Sequence, residues 1–364
     1  MQRPHDGAEV RLAQLGGDPY REEEGMRDMF RSIAHRSTDH SPDLPIEGRL
    51  PGFIDATSWL NSDPLTPDGL RGRVVLVDFW TYTCINWLRT LPYLRAWDAK
   101  YRDHGLTIVG VHTPEFGFER TVDNIVARAR GFGVDFPTAI DSDYGVWTAF
   151  ANHFWPAVYL ADAEGRIRYH HFGEGEYAMT EMVIQQLLAD AGTTGFDPGL
   201  ASVDPHGFEV AADWTSLRSP ETYLGYGRSS GLAASGDARL DESFRYPESP
   251  RLSLNQWAPS GTWTIAQHAA VLDEPGGTIA IRFQARDVNL VMGPATPGAS
   301  VPFRVRLDGT VPETGALDVD DQGNGMLADQ RLHQLIRQSG RIQERTLLIE
   351  FLEAGAEAYC FTFG

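Results

Sequence analysis

The stretch 74–87 places a short apolar run directly before a cysteine and a helix-like pattern. Val74 to Val77 is rich in β-branched residues, as expected of an interior strand. After Cys84, apolar residues recur at helical spacing, at Leu88, Leu91, Leu94 and Trp97. The pattern predicts that Cys84 lies in the first turn of a helix that follows a core strand. The free N–H groups and the dipole of a helix N-terminus favour an anion, so we expect a depressed pKa for the Cys84 thiol.

The residues around this cysteine resemble the active site of the thioredoxin fold, and in particular the TlpA/DipZ-type redoxins of bacteria. The resemblance is carried by Val-Asp-Phe-Trp-Thr-Tyr-Thr-Cys-Ile-Asn at 77–86 and by Leu-Arg-Thr-Leu-Pro-Tyr at 88–93. Asp78 lies six residues before Cys84, where thioredoxins keep a buried carboxylate. Pro92 lies eight residues after it, where their active-site helix is kinked.

Trp87 is the position at which the chain departs from the dithiol members of this family. Those members carry a second cysteine there, whereas the motif here reads Cys-Ile-Asn-Trp. The usual internal disulfide is therefore excluded. The resemblance further implies that Pro156, in the segment Trp-Pro-Ala-Val-Tyr-Leu, follows a cis peptide bond and faces the reactive cysteine.

The first half of the chain alternates strand-like and helix-like segments. The strands predicted after the central one are 106–112 and 136–140, and 50–60 is predicted as an entry hairpin. This alternation indicates an α/β thioredoxin-like domain at 46–192 with a mainly parallel sheet. It is preceded by an N-terminal arm at 1–45, with a helix at 22–36, and followed by a linker at 193–199.

The second half changes to an alternation with a period of two, at 279–285, 303–307 and 358–363. Half-buried strands of this kind predict an all-β sandwich, jelly-roll-like, for 200–364. The segment 219–226 resembles the opening of the carbohydrate-module-like domain that is appended to DipZ-type redoxins.

Charge and composition exclude some classes of partner. The net charge is −19, from 31 basic and 50 acidic side chains, which disfavours a nucleic acid partner. No apolar run approaches the ~20 residues of a membrane span. The polar start lacks a signal-peptide core, so the sequence as written indicates a cytoplasmic protein, or an exported one if it has been trimmed. Of the two cysteines, Cys84 and Cys360, the second belongs to the other predicted domain, and a bridge between them is not expected.

Four residues besides the cysteine are candidates for the site. Asp78 could transfer protons through water near Cys84, or it could be a structural hydrogen-bond acceptor. Trp87 could supply an indole N–H but is interpreted mainly as hydrophobic cover. Thr81 forms the Thr-x-x-Cys arrangement with which peroxiredoxin-like thiol peroxidases contact peroxide, although Val77 replaces their proline. Pro156 is the fourth candidate, because the resemblance implies that it faces the reactive cysteine.

Other polar and aromatic residues carry weaker signals. His112, Glu115, His170, His171 and Glu174 match no zinc signature and are interpreted as solvated or hydrogen-bonded loop residues, and no cofactor is predicted. An aromatic set could form a sugar-stacking platform, but most of its members are predicted to be core residues, with Trp257 left open: Trp214, Tyr223, Tyr226, Trp257 and Trp263.

The leading hypothesis is a single-cysteine thiol–disulfide oxidoreductase. Cys84 would form a mixed disulfide that an external thiol resolves, either a thioredoxin or a low-molecular-weight thiol. Two alternatives stay open. One is a thiol peroxidase in which Cys84 becomes a sulfenic acid. The other is a binding protein whose sandwich recognises a glycan or a protein beside a vestigial redox site.

Overall fold

The computed structural model describes residues 43–233, 239–248, 251–312 and 315–364, of which 46–364 form one compact unit. The helix predicted at 22–36, like almost all of the predicted N-terminal arm, lies outside the described residues. None of the described helices combines the length and apolar character that crossing a membrane requires.

The first sheet, which we call the α/β sheet, has the strand order β1-β7-β6-β3-β4-β5-β2. Its strands are β1 Gly48–Arg49, β2 Ser58–Leu60, β3 Val74–Trp80, β4 Leu106–His112, β5 Thr138–Ile140, β6 Ala157–Ala161 and β7 Arg166–Phe172. The helices around it are α1 Ile85–Tyr101, α2 Val122–Gly131, α3 Gly145–Ala149 and α4 Tyr177–Asp190. Short 3₁₀ turns lie at Arg102–His104, Gly117–Arg120 and Gly207–Glu209.

The centre of the α/β sheet follows the prediction. All residues of β3 are buried, as its apolar run indicates, and β4 lies parallel to it with Asp78 opposite Gly110. Between them α1 and its 3₁₀ extension end at Gly105, whose φ of 99° is the left-handed conformation that a helix-ending glycine adopts without strain. The fold is therefore a thioredoxin-like α/β domain, as predicted, followed by a β-sandwich.

Two details of the predicted sheet are wrong. The residues 50–60 do not form a hairpin, because β1 pairs with β7 and β2 pairs with β5 at opposite edges of the sheet. The sheet is also mixed, because only β3–β4 and β4–β5 are parallel pairs among the described strands. Strand β6 pairs antiparallel with β3, and a hairpin joins β6 to β7.

The second half of the chain forms the sandwich domain. Its strands are β8 Thr222–Tyr223, β9 Phe244–Tyr246, β10 Trp257–Ile265, β11 Ala270–Leu272, β12 Thr278–Phe283, β13 Asp287–Pro294, β14 Val301–Leu307, β15 Asn324–Leu327, β16 Arg331–Arg337, β17 Arg345–Phe351 and β18 Ala356–Phe363. They join in the order β15-β14-β17-β12-β10-β11-β18-β13-β16, with β8 on β18 and β9 on β10.

Strand β10 belongs to both layers of the sandwich. Its first part, Trp257 to Ser260, pairs with β12, and its second part, Gly261 to Ile265, pairs with β9 and β11. The switch falls at Gly261, which has φ 94° and whose Cβ, if present, would lie 2.8 Å from the Cα of Gly277. A side chain is therefore excluded where the strand changes layer.

The apolar core of the sandwich lies between its layers and contains the residues that the period-two pattern assigned to it in β12 and β14, whereas a register shift between β13 and β18 places Ala358, not Tyr359, in this core. Ile279, Ile281 and Phe283 from β12 and Phe303 from β14 are buried there. Trp257 and Trp263 are fully buried in the same core, which settles the open position of Trp257. Trp214 and Tyr226 are instead 59% and 36% exposed.

The outer face of β18 packs against the α/β domain. The Tyr359 ring lies 5.2 Å from the Phe116 ring and 5.0 Å from the Phe118 ring, measured between centroids. At the end of β18, the carbonyl oxygen of Phe363 accepts a hydrogen bond from Arg89 of α1. The sandwich therefore covers the side of the α/β domain on which α1 begins.

Candidate functional site

Cys84 is the N-cap residue of α1. Its carbonyl accepts from the N–H of Leu88, and its own N–H donates to the carbonyl of Thr81. The residue is partly exposed and its thiol is not in a disulfide. Pro92 lies inside the same helix. The sequence prediction that a cysteine begins the helix after the central strand is confirmed.

Trp87 lies in the first turn of α1, and its side chain is fully buried. Its indole Nε1 donates a hydrogen bond of 2.9 Å to Oδ2 of Asp78. Its ring also stacks on Trp80 of β3, with centroids 4.3 Å apart. The indole therefore does more than cover the site, because it also binds the buried carboxyl group of Asp78.

The carboxyl group of Asp78 is fully enclosed in β3. Burial raises its pKa from the ordinary 3.8 to about 7, and the hydrogen bond from Trp87 opposes this rise. Its second oxygen, Oδ1, has no hydrogen-bond partner among the described residues. Near neutral pH this group therefore exchanges between its charged and uncharged forms.

We predict that Asp78 makes the stability of the protein depend on pH. Because the folded chain binds this proton more tightly than the unfolded chain, the stabilisation is present at acid pH. It is lost as pH rises from about 4 to about 7. We measure the free energy of unfolding with urea at several pH values between 4 and 7. Its slope against pH should be less negative in Asp78→Asn than in the wild type, by about 1.4 kcal/mol per pH unit. The exposed control Asp68→Asn should keep the wild-type slope, and equal slopes for all three proteins would contradict the prediction.

Glu119 accepts hydrogen bonds from two segments of the site, and it was not predicted as a site residue from the sequence. Its Oε1 accepts from the Thr83 hydroxyl at 2.7 Å and from the Thr83 N–H at 3.3 Å. Its Oε2 accepts from the N–H groups of Glu115 and Phe116, at 2.7 and 2.9 Å. Burial raises the pKa of Glu119 to about 7, and these donors oppose the rise. Thr81, the predicted peroxide-contacting residue, is buried beside the same carboxyl group.

Pro156 follows a cis peptide bond with Trp155, as the resemblance implied. It directly precedes β6, which pairs with β3 through Ala157 and Phe79. The Trp155 indole donates to the carbonyl oxygen of Thr113, just after β4. The proline segment is thus fixed at the same end of the sheet as the start of α1.

Glu115 lies at the contact with the sandwich domain and is not a solvated loop residue. Its Oε1 accepts from the hydroxyl of Tyr223 at 2.5 Å and from Nη1 of Arg228 at 2.6 Å. Its side chain is 10% exposed. Sequence reasoning could not pair these residues, because they are more than a hundred positions apart and follow no spacing rule.

The expected depression of the Cys84 pKa is wrong. Although part of the residue is exposed, the thiol group itself is enclosed by protein, and this burial raises its pKa well above its usual range. The carboxylates of Glu115 and Glu221 act in the same direction. The backbone N–H groups of Asn86 and Trp87 do lower it, as predicted for a helix N-terminus, but their effect is smaller. The thiol is therefore uncharged at neutral pH.

Among the remaining polar candidates, His112 is neither solvated nor hydrogen-bonded through its side chain, because both ring nitrogens are buried without a hydrogen-bond partner among the described residues. His112 is fully buried between Trp80 and Tyr82, and burial lowers its pKa to about 3, so it is neutral. Glu174 forms a buried ion pair of 2.9 Å with Arg89.

His170 pairs with Glu47 at 2.7 Å. In the described parts of the chain, no group of three or more histidine, cysteine or acidic side chains is arranged to hold a metal ion.

Cys360 lies on β18 directly opposite Tyr223 of β8. It is buried, and burial raises the pKa of its thiol, with Glu221 and Glu115 adding to the rise. Both cysteines therefore lie near the same two carboxyl groups, although they belong to different domains. No bridge joins the two cysteines, both of which are free, although the domain boundary does not separate them from these shared carboxyl groups.

Comparisons with known proteins agree with this architecture. Residues 219–364 match the family described as a thioredoxin-like C-terminal domain. The chain is 38% identical over 264 residues to protein DipZ of Mycobacterium tuberculosis and of Mycobacterium bovis, a match that covers 70% of this chain. The chain spans 36% of the length of these curated relatives.

Shorter relatives match the α/β domain. The thiol-disulfide oxidoreductase YkuV of Bacillus subtilis is 26% identical over 141 residues, which cover 39% of this chain and 95% of YkuV. A solution structure of a thioredoxin-like protein in the oxidised form aligns with a TM-score of 0.37 and 27% identity, over 40% of this chain and 99% of that chain.

Proposed function

Since the chain belongs to the thioredoxin-like proteins of the TlpA/DipZ type, we propose that it exchanges thiols and disulfides through the single cysteine Cys84. The observation that carries this proposal is the position of Cys84 at the N-cap of α1, with Trp87 bound to Asp78 one turn later. Within the proposal, 46–192 form the redox domain, 193–199 the linker, and 200–364 the domain that covers the site.

The first step is attack on a substrate disulfide. Cys84 loses its proton, and the sulfur attacks one sulfur of the substrate. The substrate S–S bond breaks as a new S–S bond forms to Cys84. The second substrate sulfur leaves as a thiolate and takes up a proton, so the step involves no net oxidation.

The second step requires a thiol from outside the chain. Trp87 occupies the position from which an internal thiol would attack, and its indole is held by Asp78 and Trp80. An external thiol, from a thioredoxin or a small molecule, loses its proton and attacks the substrate sulfur of the mixed disulfide. The S–S bond to Cys84 breaks as a new S–S bond joins the substrate to the external thiol, and Cys84 leaves as a thiolate that takes up a proton. Because the Cys84 thiolate is disfavoured, Cys84 is a poor leaving group and the mixed disulfide is long-lived.

Asp78 has a structural part in this scheme. Its hydrogen bond to Trp87 fixes the indole next to the start of α1. This use of the carboxyl group differs from proton transfer to a second cysteine, since no cysteine is present at that position. Trp257 and Trp263 are core residues and cannot form part of a sugar-stacking surface.

The proposal is tested by treating the full-length protein separately with glutathione disulfide and with hydrogen peroxide, followed by peptide mass spectrometry. We expect a single glutathionyl adduct on Cys84. It should persist after removal of the reagent and disappear when dithiothreitol or thioredoxin is added. Peroxide at the same concentration and pH should oxidise Cys84 no faster than glutathione disulfide modifies it, whereas a thiol peroxidase would react faster with peroxide.

The variant Cys360→Ser is the matched control, because it leaves Cys84 as the one thiol of the chain. It should gain the same adduct at the same rate. A chain that forms no adduct on Cys84 has no thiol exchange activity. Rapid formation of a sulfenic acid, trapped with dimedone, would instead support a thiol peroxidase.

A further inference from the structure

A tyrosine hydroxyl lies between two carboxyl groups at the contact of the two domains. The hydroxyl of Tyr223 is 2.5 Å from Oε1 of Glu115 and 2.8 Å from Oε2 of Glu221. Arg228 donates to Glu115 at 2.6 Å, and its guanidinium lies 3.6 Å from the centroid of the Tyr223 ring. Glu115 comes from the α/β domain, whereas the other three residues come from the sandwich domain.

The hydrogen bonds of this cluster require an additional proton. A tyrosine hydroxyl has one proton and can donate to one of its two carboxyl neighbours. The other contact is a hydrogen bond only if that carboxyl group is itself protonated. Arg228 donates to Glu115, which leaves Glu221 as the carboxyl group that carries the additional proton. In agreement, burial raises the pKa of Glu221 to about 7, and the charge of Glu115 adds to the rise.

The cluster lies beside Cys84. The carboxyl group of Glu119 binds the N–H of Thr83 through one oxygen and the N–H of Glu115 through the other, which brings the residue before Cys84 close to Glu115. The titratable groups that face the cluster are Cys84, Glu119 and Tyr144 from the α/β domain and Cys360 from the sandwich domain.

We propose that the sandwich domain completes the thiol site, because Glu221, bridged to Glu115 by the Tyr223 hydroxyl, adds to the burial that keeps Cys84 in its uncharged form. This inference rests on the proposed thiol exchange at Cys84 and names the positioning residues that control it. At acid pH one negative charge lies in the cluster. When Glu221 loses its proton near pH 7, a second charge is added, and the thiolate becomes harder to form.

The consequence is an unusual pH dependence of the reactivity of Cys84. For an isolated thiol, the alkylation rate rises tenfold for each pH unit below its pKa. Here the rise is less steep above pH 7, because the ionisation of Glu221 opposes the loss of the thiol proton. A purely structural role for Glu221 would lower the stability of the protein without changing the shape of this profile.

The test is the rate of alkylation of Cys84 by iodoacetamide between pH 6 and 9, measured on the full-length chain by mass spectrometry of the Cys84 peptide. Glu221→Gln mimics the protonated side chain, since its amide can donate to the Tyr223 hydroxyl as the carboxylic acid does. We expect wild-type rates at pH 6 and rates several-fold above wild type at pH 8.5. Glu115→Gln should be faster than wild type at every pH.

The matched control is Glu357→Gln. Glu357 also accepts from a tyrosine hydroxyl, that of Tyr359 at 2.5 Å, on the same strand as Cys360, but it is not among the charges that act on Cys84. Its profile should equal that of the wild type. A Glu221→Gln profile that is parallel to the wild type, or that falls below it at high pH, overturns the inference. Glu221→Gln keeps the bond between Tyr223 and Glu115, so it decides the matter even if Glu115→Gln does not fold.

The alkylation profile is independent of thiol exchange. If Cys84 forms no mixed disulfide but the profiles of the variants diverge, the proposed function fails and this inference stands. If exchange occurs but the profiles coincide, the function stands and the control by Glu221 is wrong.

Discussion

Replacing Trp87 by cysteine is expected to give a chain that forms an internal disulfide with Cys84 and reduces a model protein disulfide roughly tenfold faster, or more, than the wild type. Residues three apart in the first turn of a helix share a face, so the new thiol lies beside Cys84. Its attack is intramolecular and has an effective concentration in the millimolar range or above. The external thiol of the proposed cycle is then no longer required.

The same substitution should destabilise the fold. Trp87 is fully buried against Trp80, and truncating a buried tryptophan costs about 3–5 kcal/mol. Asp78 also loses its hydrogen-bond donor. The free energy of unfolding, measured with urea under reducing conditions, should fall by this amount, and the disulfide should recover part of it under oxidising conditions.

Trp87→Ser is the matched control for this prediction, because it leaves a similar cavity without a thiol. It should lose as much stability as Trp87→Cys and gain no reductase activity. Suppose that Trp87→Cys folds but mass spectrometry finds two free thiols at positions 84 and 87 after oxidation. The placement of the active-site turn at the start of α1 would then be wrong.

Replacing Arg89 by methionine is expected to lower the free energy of unfolding by about 3–5 kcal/mol. Arg89 and Glu174 form an ion pair in which the side chains are 2% and 6% exposed. Removing the arginine leaves the Glu174 carboxylate buried without its partner. The variant also loses the hydrogen bond from Arg89 to the Phe363 carbonyl, which joins α1 to β18.

Two further variants serve as controls for Arg89→Met, and their free energies of unfolding are measured with urea in the same way. Arg89→Met combined with Glu174→Gln removes the uncompensated charge and should recover part of the loss. Arg245→Met removes an exposed pair with Glu274 and should change stability by less than about 0.5 kcal/mol. Equal effects of Arg89→Met and Arg245→Met would show that the buried ion pair between Arg89 and Glu174 does not stabilise the fold.

The sequence was informative where a structural element is specified by its own residues. The apolar runs of β3 and β4 and the helical spacing after Cys84 predicted the central strands and α1, because burial of one stripe or of a whole strand leaves a local pattern. The period-two alternation predicted β12, β14 and β18 for the same reason. The cis bond before Pro156 came from the family resemblance.

The sequence was uninformative where a contact joins distant segments. The entry hairpin predicted at 50–60 failed because a short strand does not specify its partner, and β1 and β2 lie at opposite edges. Glu119 and Tyr223 were missed as site residues because no spacing relates them to Cys84. The direction of the Cys84 pKa was wrong because the helix N-terminus is visible in the sequence, whereas the burial and the two glutamates are not.

Strand β18 has a consequence for the order in which the chain folds during synthesis. It lies between β11 and β8 on one side and β13 on the other, yet it is translated after all the other described strands. The two layers of the sandwich therefore stay open on the ribosome while the α/β domain, which precedes them, has already emerged. Its pairing with β8, more than a hundred residues earlier, is a contact of high sequence separation and closes late. We expect the nascent chain to expose Cys84 to thiols and chaperones until β18 closes over Phe116 and Phe118.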